Sequence, residues 1–149
     1  MWPRAASRLP MVETVLPASS SWRTTRFFAS ATKMPSSAML MAVFFEEARW
    51  AYWMEVVGQG LEELDYVLAE CRVRWHARVL WPQTLRVGVR VVRVGRKQFE
   101  MEYEGQGDDA TRLQSGTTVQ VLYEYDAQAS KRLSDTLRDT LEGFDGPFS

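Results

Sequence analysis

From Met39 to Val57 apolar residues occupy nearly every side of a helical wheel, since Glu46 and Glu47 lie about 100° apart and Glu55 about 180° from Glu46. The pattern predicts a helix of about five turns, stopped by Gly58 and wrapped by other structure. Glu46 and Arg49 have the i,i+3 spacing of a helical ion pair. Downstream the period changes to two. Cys71, Val73, Trp75, Ala77 and Val79 alternate with Arg72, Arg74, His76 and Arg78. Leu85, Val87, Val89 and Val91 alternate with Arg86 and Arg90, and Phe99, Met101 and Tyr103 with Glu100, Glu102 and Glu104. Each block reads as a half-buried strand. Both of the latter apolar sets are odd-numbered, so a hairpin keeping them on one face needs an odd loop, with Gly95 expected as the left-handed residue of a bulged turn. The outer Arg and Glu residues then form a solvated ladder worth tenths of a kcal/mol to about 1 kcal/mol per pair.

A fourth strand is expected where Thr117, Val119, Val121, Tyr123 and Tyr125 alternate with Thr118, Gln120 and Glu124. Ser134 can cap a closing helix carrying Leu137, Leu141 and Phe144, ended between Gly143 and Gly146. A helix too apolar to stand outside, followed by an antiparallel meander, has one economical packing. The sheet curls around the helix in an α+β domain. A single sheet of this size leaves an open edge, which pairing of two subunits would close, so a homodimer or homotetramer is expected.

Composition narrows the function. With 149 residues and 46% apolar content, one core is the default, and a net charge of -1 provides no global attraction for nucleic acid. No stretch reaches the roughly 18 apolar residues of a membrane span. One cysteine, Cys71, and one histidine, His76, exclude a disulfide framework and a zinc-type ligand cluster. Cys71 is expected in the core and His76 on the surface. Residues 1–43 differ from the rest: Glu13 faces five basic residues, with seven serines and four prolines. This segment reads as a transit peptide with a cleavage context at Arg26-Phe27-Phe28-Ala29-Ser30, as a poorly ordered tail, or as a misread frame. The domain is therefore drawn over residues 44–146, with residues 1 to about 28 expected outside the core. A cytoplasmic location is expected, or the mitochondrial matrix under the transit reading.

No nucleophile elbow, phosphate loop or dinucleotide fingerprint is present, since Gly58-x-Gly60 and Gly105-x-Gly107 lack the third glycine and the strand-to-helix context. The residues instead suggest a family. Phe44-Phe45-Glu46-Glu47-Ala48-Arg49-Trp50-Ala51-Tyr52 resembles the YFEEAR-type helix of the 4-hydroxybenzoyl-CoA thioesterase-like acyl-CoA thioesterases, which have the hotdog fold. Residues 67–79, Thr84 to Val89 and Gly116 to Tyr123 are similar to the family's three following strands, in order and spacing.

The resemblance implies hydrolysis of acyl-CoA to a free acid and coenzyme A without a metal or other cofactor. The family's catalytic carboxylate lies just before the helix, in the form R-[FY]-x-D-x-D-x-x-G-H-V-N-N. Counting back from Phe45 places Arg26 and Phe27 on the first two positions. The aspartates then fall on Ala29 and Ala31, the glycine on Met34, the histidine on Pro35 and the asparagines on Ser37 and Ala38. Alanine can act neither as nucleophile nor as base, so impaired activity is expected. Related hotdog enzymes carry a glutamate on the central helix, which makes Glu46 and Glu47 the candidate catalytic carboxylates. Arg96 and Lys97, at the hairpin tip, are candidate contacts for the phosphates of coenzyme A. The alternative is a noncatalytic hotdog protein that binds acyl groups or a protein partner.

Overall fold

A computed structural model describes residues 13–15, 23–29, 37–78, 83–107, 109 and 111–148. Its central element is helix α1, Ser37–Tyr52, which runs on into a single π-helical turn, Trp53–Val57. Gly58 ends it with φ of 76°, and its N–H bonds the Trp53 carbonyl at 3.1 Å. A residue with a Cβ is strained at that angle. The helix is wrapped as its composition requires: Phe44, Phe45, Ala48, Tyr52 and Trp53 are all buried.

The wrapping comes from an antiparallel sheet. Its described strands are β1 (Glu13–Val15), β2 (Arg23–Ala29), β3 (Tyr66–Trp75), β4 (Gln83–Val94), β5 (Gln98–Gln106), β6 (Arg112–Glu124) and β7 (Ala129–Ser130). They lie in the order β1-β2-β4-β5-β6-β3, with β7 beside β6. Strands β4 and β5 present Val87, Val89, Val91, Phe99, Met101 and Tyr103 to the helix, with Val89 opposite Tyr103 and Val91 opposite Met101. Burying one such large side chain contributes about 1.5–3 kcal/mol. Trp53 stacks on Phe99 at 5.3 Å, and Tyr66 meets both rings edge-on.

The β4–β5 connection has the expected odd length, Gly95 to Lys97, but Gly95 is not left-handed; among the described glycines, Gly58 has the positive φ. The one-residue offset comes from within β4, where the register slips between Val91 and Arg93. A bulge inside the strand thus replaces the bulge expected in the turn.

On β6 the more apolar of the two alternating sets does not face the helix. Gln120 lies opposite Phe99, Thr118 opposite Met101 and Gly116 opposite Tyr103, so the even-numbered residues look at the helix. Gln114, Thr118 and Gln120 are buried, whereas Thr117 is exposed and Val119 and Val121 lie half-buried on the outer face. Cys71, opposite Thr118, does face the helix side, but it is exposed rather than in the core. No described residue covers this edge fully, and most of β3 is accessible on both faces.

Two strands precede α1. β2 pairs with β4 from Arg23 opposite Val89 to Ala29 opposite Gln83, and β1 pairs with β2. The paired framework thus reaches upstream of residue 44, with residues 13–15 and 23–29 supplying strands to the sheet margin. At the other end Ser134 caps helix α2, Asp135–Asp145, by accepting the Leu137 N–H at 3.2 Å. Gly143 lies inside this helix, and Gly146 follows it. The Asp145 carboxylate accepts from the Tyr52 hydroxyl at 2.7 Å and from the Val91 N–H at 2.8 Å, tying α2 to both α1 and β4.

Candidate functional site

The apolar helix carries its polar groups in one short stretch. Glu46 and Glu47 are half-buried, and one turn on, Arg49 is buried to 4% exposure. The expected Glu46–Arg49 pair does not form. Arg49 instead turns inward and donates from Nη1 to the Tyr103 hydroxyl at 3.3 Å. Tyr103 also meets Thr118 Oγ1 at 2.8 Å, and Gln120 Nε2 donates to the same Thr118 oxygen. Strand β6 therefore supplies polar groups where the helix sends a guanidinium inward, because a buried charge needs hydrogen-bonding neighbours.

The electrostatics follow from this packing. Burial opposes the Arg49 charge, but the phenolic oxygens of Tyr103 and Tyr66 outweigh it and hold its pKa above the ordinary value. Burial pushes Tyr66 up to about 12 and raises Tyr103 as well, so both are neutral phenols at physiological pH. The Glu47 carboxyl is raised by burial first and by the Glu46 charge second. A carboxyl raised by burial and by a neighbouring carboxylate is a stronger base than a free one once ionised.

Space at this level is limited by Phe45, which stacks on Tyr103 at 4.6 Å between ring centroids. A Cβ on Gly116 would come within 2.5 Å of the Phe45 ring and of the Arg72 carbonyl. Glycine at that position is what allows the ring, and with it Glu46 and Glu47, to sit close to the sheet.

Arg96 and Lys97 lie elsewhere. They are exposed on the β4–β5 turn, and a groove of about 350 Å³ there is lined by Arg93, Gly95, Arg96, Lys97, Gln98, Phe99 and Glu100. Arg138 donates to the Gly95 carbonyl at 2.8 Å, and Lys97 to the Ser130 hydroxyl at 3.0 Å. Tyr103, at the level of the helix glutamates, is six residues from Lys97 along β5, roughly 20 Å. The candidates therefore form two places, not one. Of the aspartate-loop positions, Ala29 ends β2 and Ser37 and Ala38 open α1, while Ala31, Met34 and Pro35 lie outside the described residues. A second groove, of about 620 Å³, crosses the outer face among Arg72, Arg74, His76, Arg112 and Ser115, where exposed His76 meets the Ser115 hydroxyl at 2.8 Å. Among the described residues no three His, Cys, Asp or Glu side chains are placed to hold a metal ion.

The Arg49–Tyr103–Thr118 network was not foreseen from the sequence. The available signal was an arginine on an otherwise apolar helix, facing a strand that alternates valine with threonine and glutamine.

A sheet curled around one buried helix defines a hotdog-fold protein, and comparison with known proteins places it further. Residues 40–112 match the model of the thioesterase superfamily. Among solved structures, a thioesterase from Thermus thermophilus, complexed with coenzyme A and Zn, superimposes with a TM-score of 0.74 at 22% identity, covering 85% of this chain and 96% of that one. A thioesterase-superfamily protein from Jannaschia sp. CCS1 gives 0.74 at 16% identity, covering 87% and 86%. A DHNA-CoA thioesterase from Staphylococcus aureus gives 0.68 at 18%, covering 79% and 85%. None of the curated proteins matches. The chain has the hotdog fold, and over residues 40–112 it is similar to the thioesterase superfamily.

Proposed function

We propose that this protein hydrolyses acyl-CoA thioesters, with Glu47 as the general base. The observation that carries the reading is a half-buried carboxyl with raised pKa on the central helix of a thioesterase fold. Glu47 takes a proton from water as its oxygen attacks the thioester carbonyl. The C–S bond then breaks, and the thiolate of coenzyme A leaves and takes up the proton. Glu46 keeps the Glu47 carboxyl raised, and Arg96 and Lys97 receive phosphates of the substrate at the turn, a pantetheine-length reach away. Absence of an aspartate at Ala31 makes the reaction slow compared with enzymes that have one.

The test is release of free thiol from short, long and aromatic acyl-CoAs. Glu47→Gln is expected to lower kcat about 10²-fold or more and Glu46→Gln less. Turnover that survives Glu47→Gln and disappears with another carboxylate would overturn the assignment. The open, apolar-lined edge of β3 supports the second reading, a hotdog protein that binds acyl groups or a partner without turning them over. Binding of coenzyme A with no thiol release from any substrate would favour that one.

The same edge supports assembly as a homodimer through β3, alone or as half of a tetramer. No helix among the described residues is long and apolar enough to cross a membrane. The pairing of β2 favours the cytoplasm over the mitochondrial matrix as the proposed location, because cleavage at the Phe28-Ala29 context would remove the strand beside β4.

A further inference from the structure

We infer that the buried guanidinium of Arg49, with the Tyr66 hydroxyl beside it, is a subsite for a carboxylate, so that the acyl groups this chain takes are short dicarboxylic ones held by their far end. The inference rests on the proposed acyl-CoA reaction and names its substrate class.

Arg49 carries an unbalanced charge. It is 4% exposed, and among the described residues no carboxylate lies within ion-pair distance of it. Nη1 donates to the neutral Tyr103 hydroxyl at 3.3 Å, while Nε is buried with no partner. Tyr66 is 7% exposed and its hydroxyl is likewise buried without a partner. Burial raises its pKa, and the nearby guanidinium opposes the rise. A positive charge and two unused donors thus stand together with no acceptor to receive them. A buried cation is costly unless it is paired and hydrogen-bonded. Gln120 Oε1, buried in the same network, is an acceptor without a partner, but a neutral amide oxygen leaves the charge uncancelled.

The group that completes this cluster is an anion with oxygen acceptors, and the surroundings favour a carboxylate over a phosphate. With Nη1 engaged, the guanidinium edge formed by Nε and Nη2 remains, which is the edge that receives both oxygens of one planar carboxylate. The walls are apolar. Phe45 stacks on Tyr103, and Met101 Sδ meets the Tyr103 hydroxyl at 3.7 Å, so a run of methylenes leads to this point at less cost than a doubly charged, hydrated phosphate. Arg49 follows Glu46 by about 4.5 Å of helix rise. It is buried where Glu46 and Glu47 are half-buried. A thioester beside the glutamates therefore places the far carboxylate of a short acyl group deeper along the helix, at Arg49. The way in lies along β3, where Cys71, opposite Thr118 on the helix side, is exposed.

The experiment pairs compounds of equal length with and without the second carboxylate. In thermal unfolding of the full chain, succinate, glutarate and adipate are compared with butyrate, pentanoate and hexanoate at constant ionic strength. Thiol release is then compared between the corresponding CoA thioesters, with the uncatalysed rate subtracted. A diacid is expected to raise the melting temperature where its monoacid does not, and its thioester to exceed the matched one in kcat/KM. Arg49→Met, which keeps the length of the stem, is expected to abolish the diacid shift and to lower that ratio roughly 10²-fold. Without ligand it should melt no lower than wild type, because an unpaired buried charge is gone. Tyr66→Phe removes one O–H and should lower the ratio roughly tenfold. No advantage of any diacid in either measurement overturns the subsite. Equal protection by hexanoate and adipate puts the released acid at Arg49, not the far end of the acyl group, and also overturns it. A large loss of stability in Arg49→Met that Glu46→Gln reproduces makes Glu46 the counter-charge and overturns it as well. An unchanged ratio in Tyr66→Phe does so even where Arg49→Met fails to fold. Protection by a diacid that Arg49→Met abolishes, in a chain that releases no thiol from any substrate, upholds the subsite while the catalytic reading fails.

Discussion

Strands β5 and β6 are neighbours in the same sheet and cover the same helix, yet they meet it with opposite chemistry. β5 gives it Phe99, Met101 and Tyr103, and β6 gives it Gln114, Gly116, Thr118 and Gln120. Val119 and Val121 of β6 point away and stay half-buried, and only near its ends does the strand add apolar side chains to the core, Leu113 and Leu122. The difference follows the helix. Where the π-helical turn after α1 presents Trp53 it is met by Phe99, and where α1 presents Arg49 it is met through Tyr103 by Thr118. The inner face of a sheet is therefore set by what lies on it, not by which alternate set in the strand is more apolar.

The largest effect that would sharpen this contrast is loss of an inner aromatic from β5. Phe99→Ala should cost about 3–5 kcal/mol in urea unfolding. Val121→Ala on the outer face of β6 should cost about 1 kcal/mol or less. Equal losses would mean that β6 buries its valines after all. Next is Gly116→Ala, whose methyl would press on the Phe45 ring and the Arg72 carbonyl. It should cost about 1–3 kcal/mol, and Phe45→Leu in the same chain should recover part of the loss. Smaller again is Thr118→Val, a change close in shape that removes the oxygen shared by Tyr103 and Gln120. It should cost about 1–2 kcal/mol, because it leaves buried donors without an acceptor. A neutral or stabilising result would show that the polar network adds nothing to stability.

The smallest effect is on the helix that both strands cover. The Glu47 carboxyl is raised above its ordinary value of 4.5, so the folded chain holds this proton more tightly than the unfolded chain does. Stability from this group accordingly falls as pH rises from about 4.5 through the raised value. Glu47→Gln should melt slightly higher than wild type above that window and match it below, as measured by thermal unfolding at pH 4 and pH 8.

Much of this was legible in the sequence. The apolar circumference of α1 announced a wrapped helix, Gly58 its end, Ser134 the cap of α2, and the odd hairpin length a three-residue turn. In each case one local rule decides the outcome. What escaped depended on partners remote in the chain. A bulge adds a residue and inverts the alternation after it, and neither the slip near Ala69 nor the one at Val92 carries a composition signal. On β6 the apolar alternation was real but pointed outward, because Arg49, some 70 residues earlier, needed polar company. β2 reads Arg-Thr-Thr-Arg-Phe-Phe-Ala, without period-two alternation, and became visible only through its pairing with β4. The site was legible to the same extent. Glu46 and Glu47 were found on the helix, but their separation from Arg96 and Lys97 depended on the run of β5.

The grip of Asp145 on Val91 bears on what happens to this chain at high concentration. The described pairing of β2 with β4 reaches Val89. Two residues on, the Val91 N–H is met by a carboxylate from α2 instead of by a strand. Backbone groups left open on a hydrophobic strand recruit other chains. A side chain that fills such a position acts as a stopper against fibril-like growth. With that carboxylate in place, this stretch of β4 is closed to pairing with another chain.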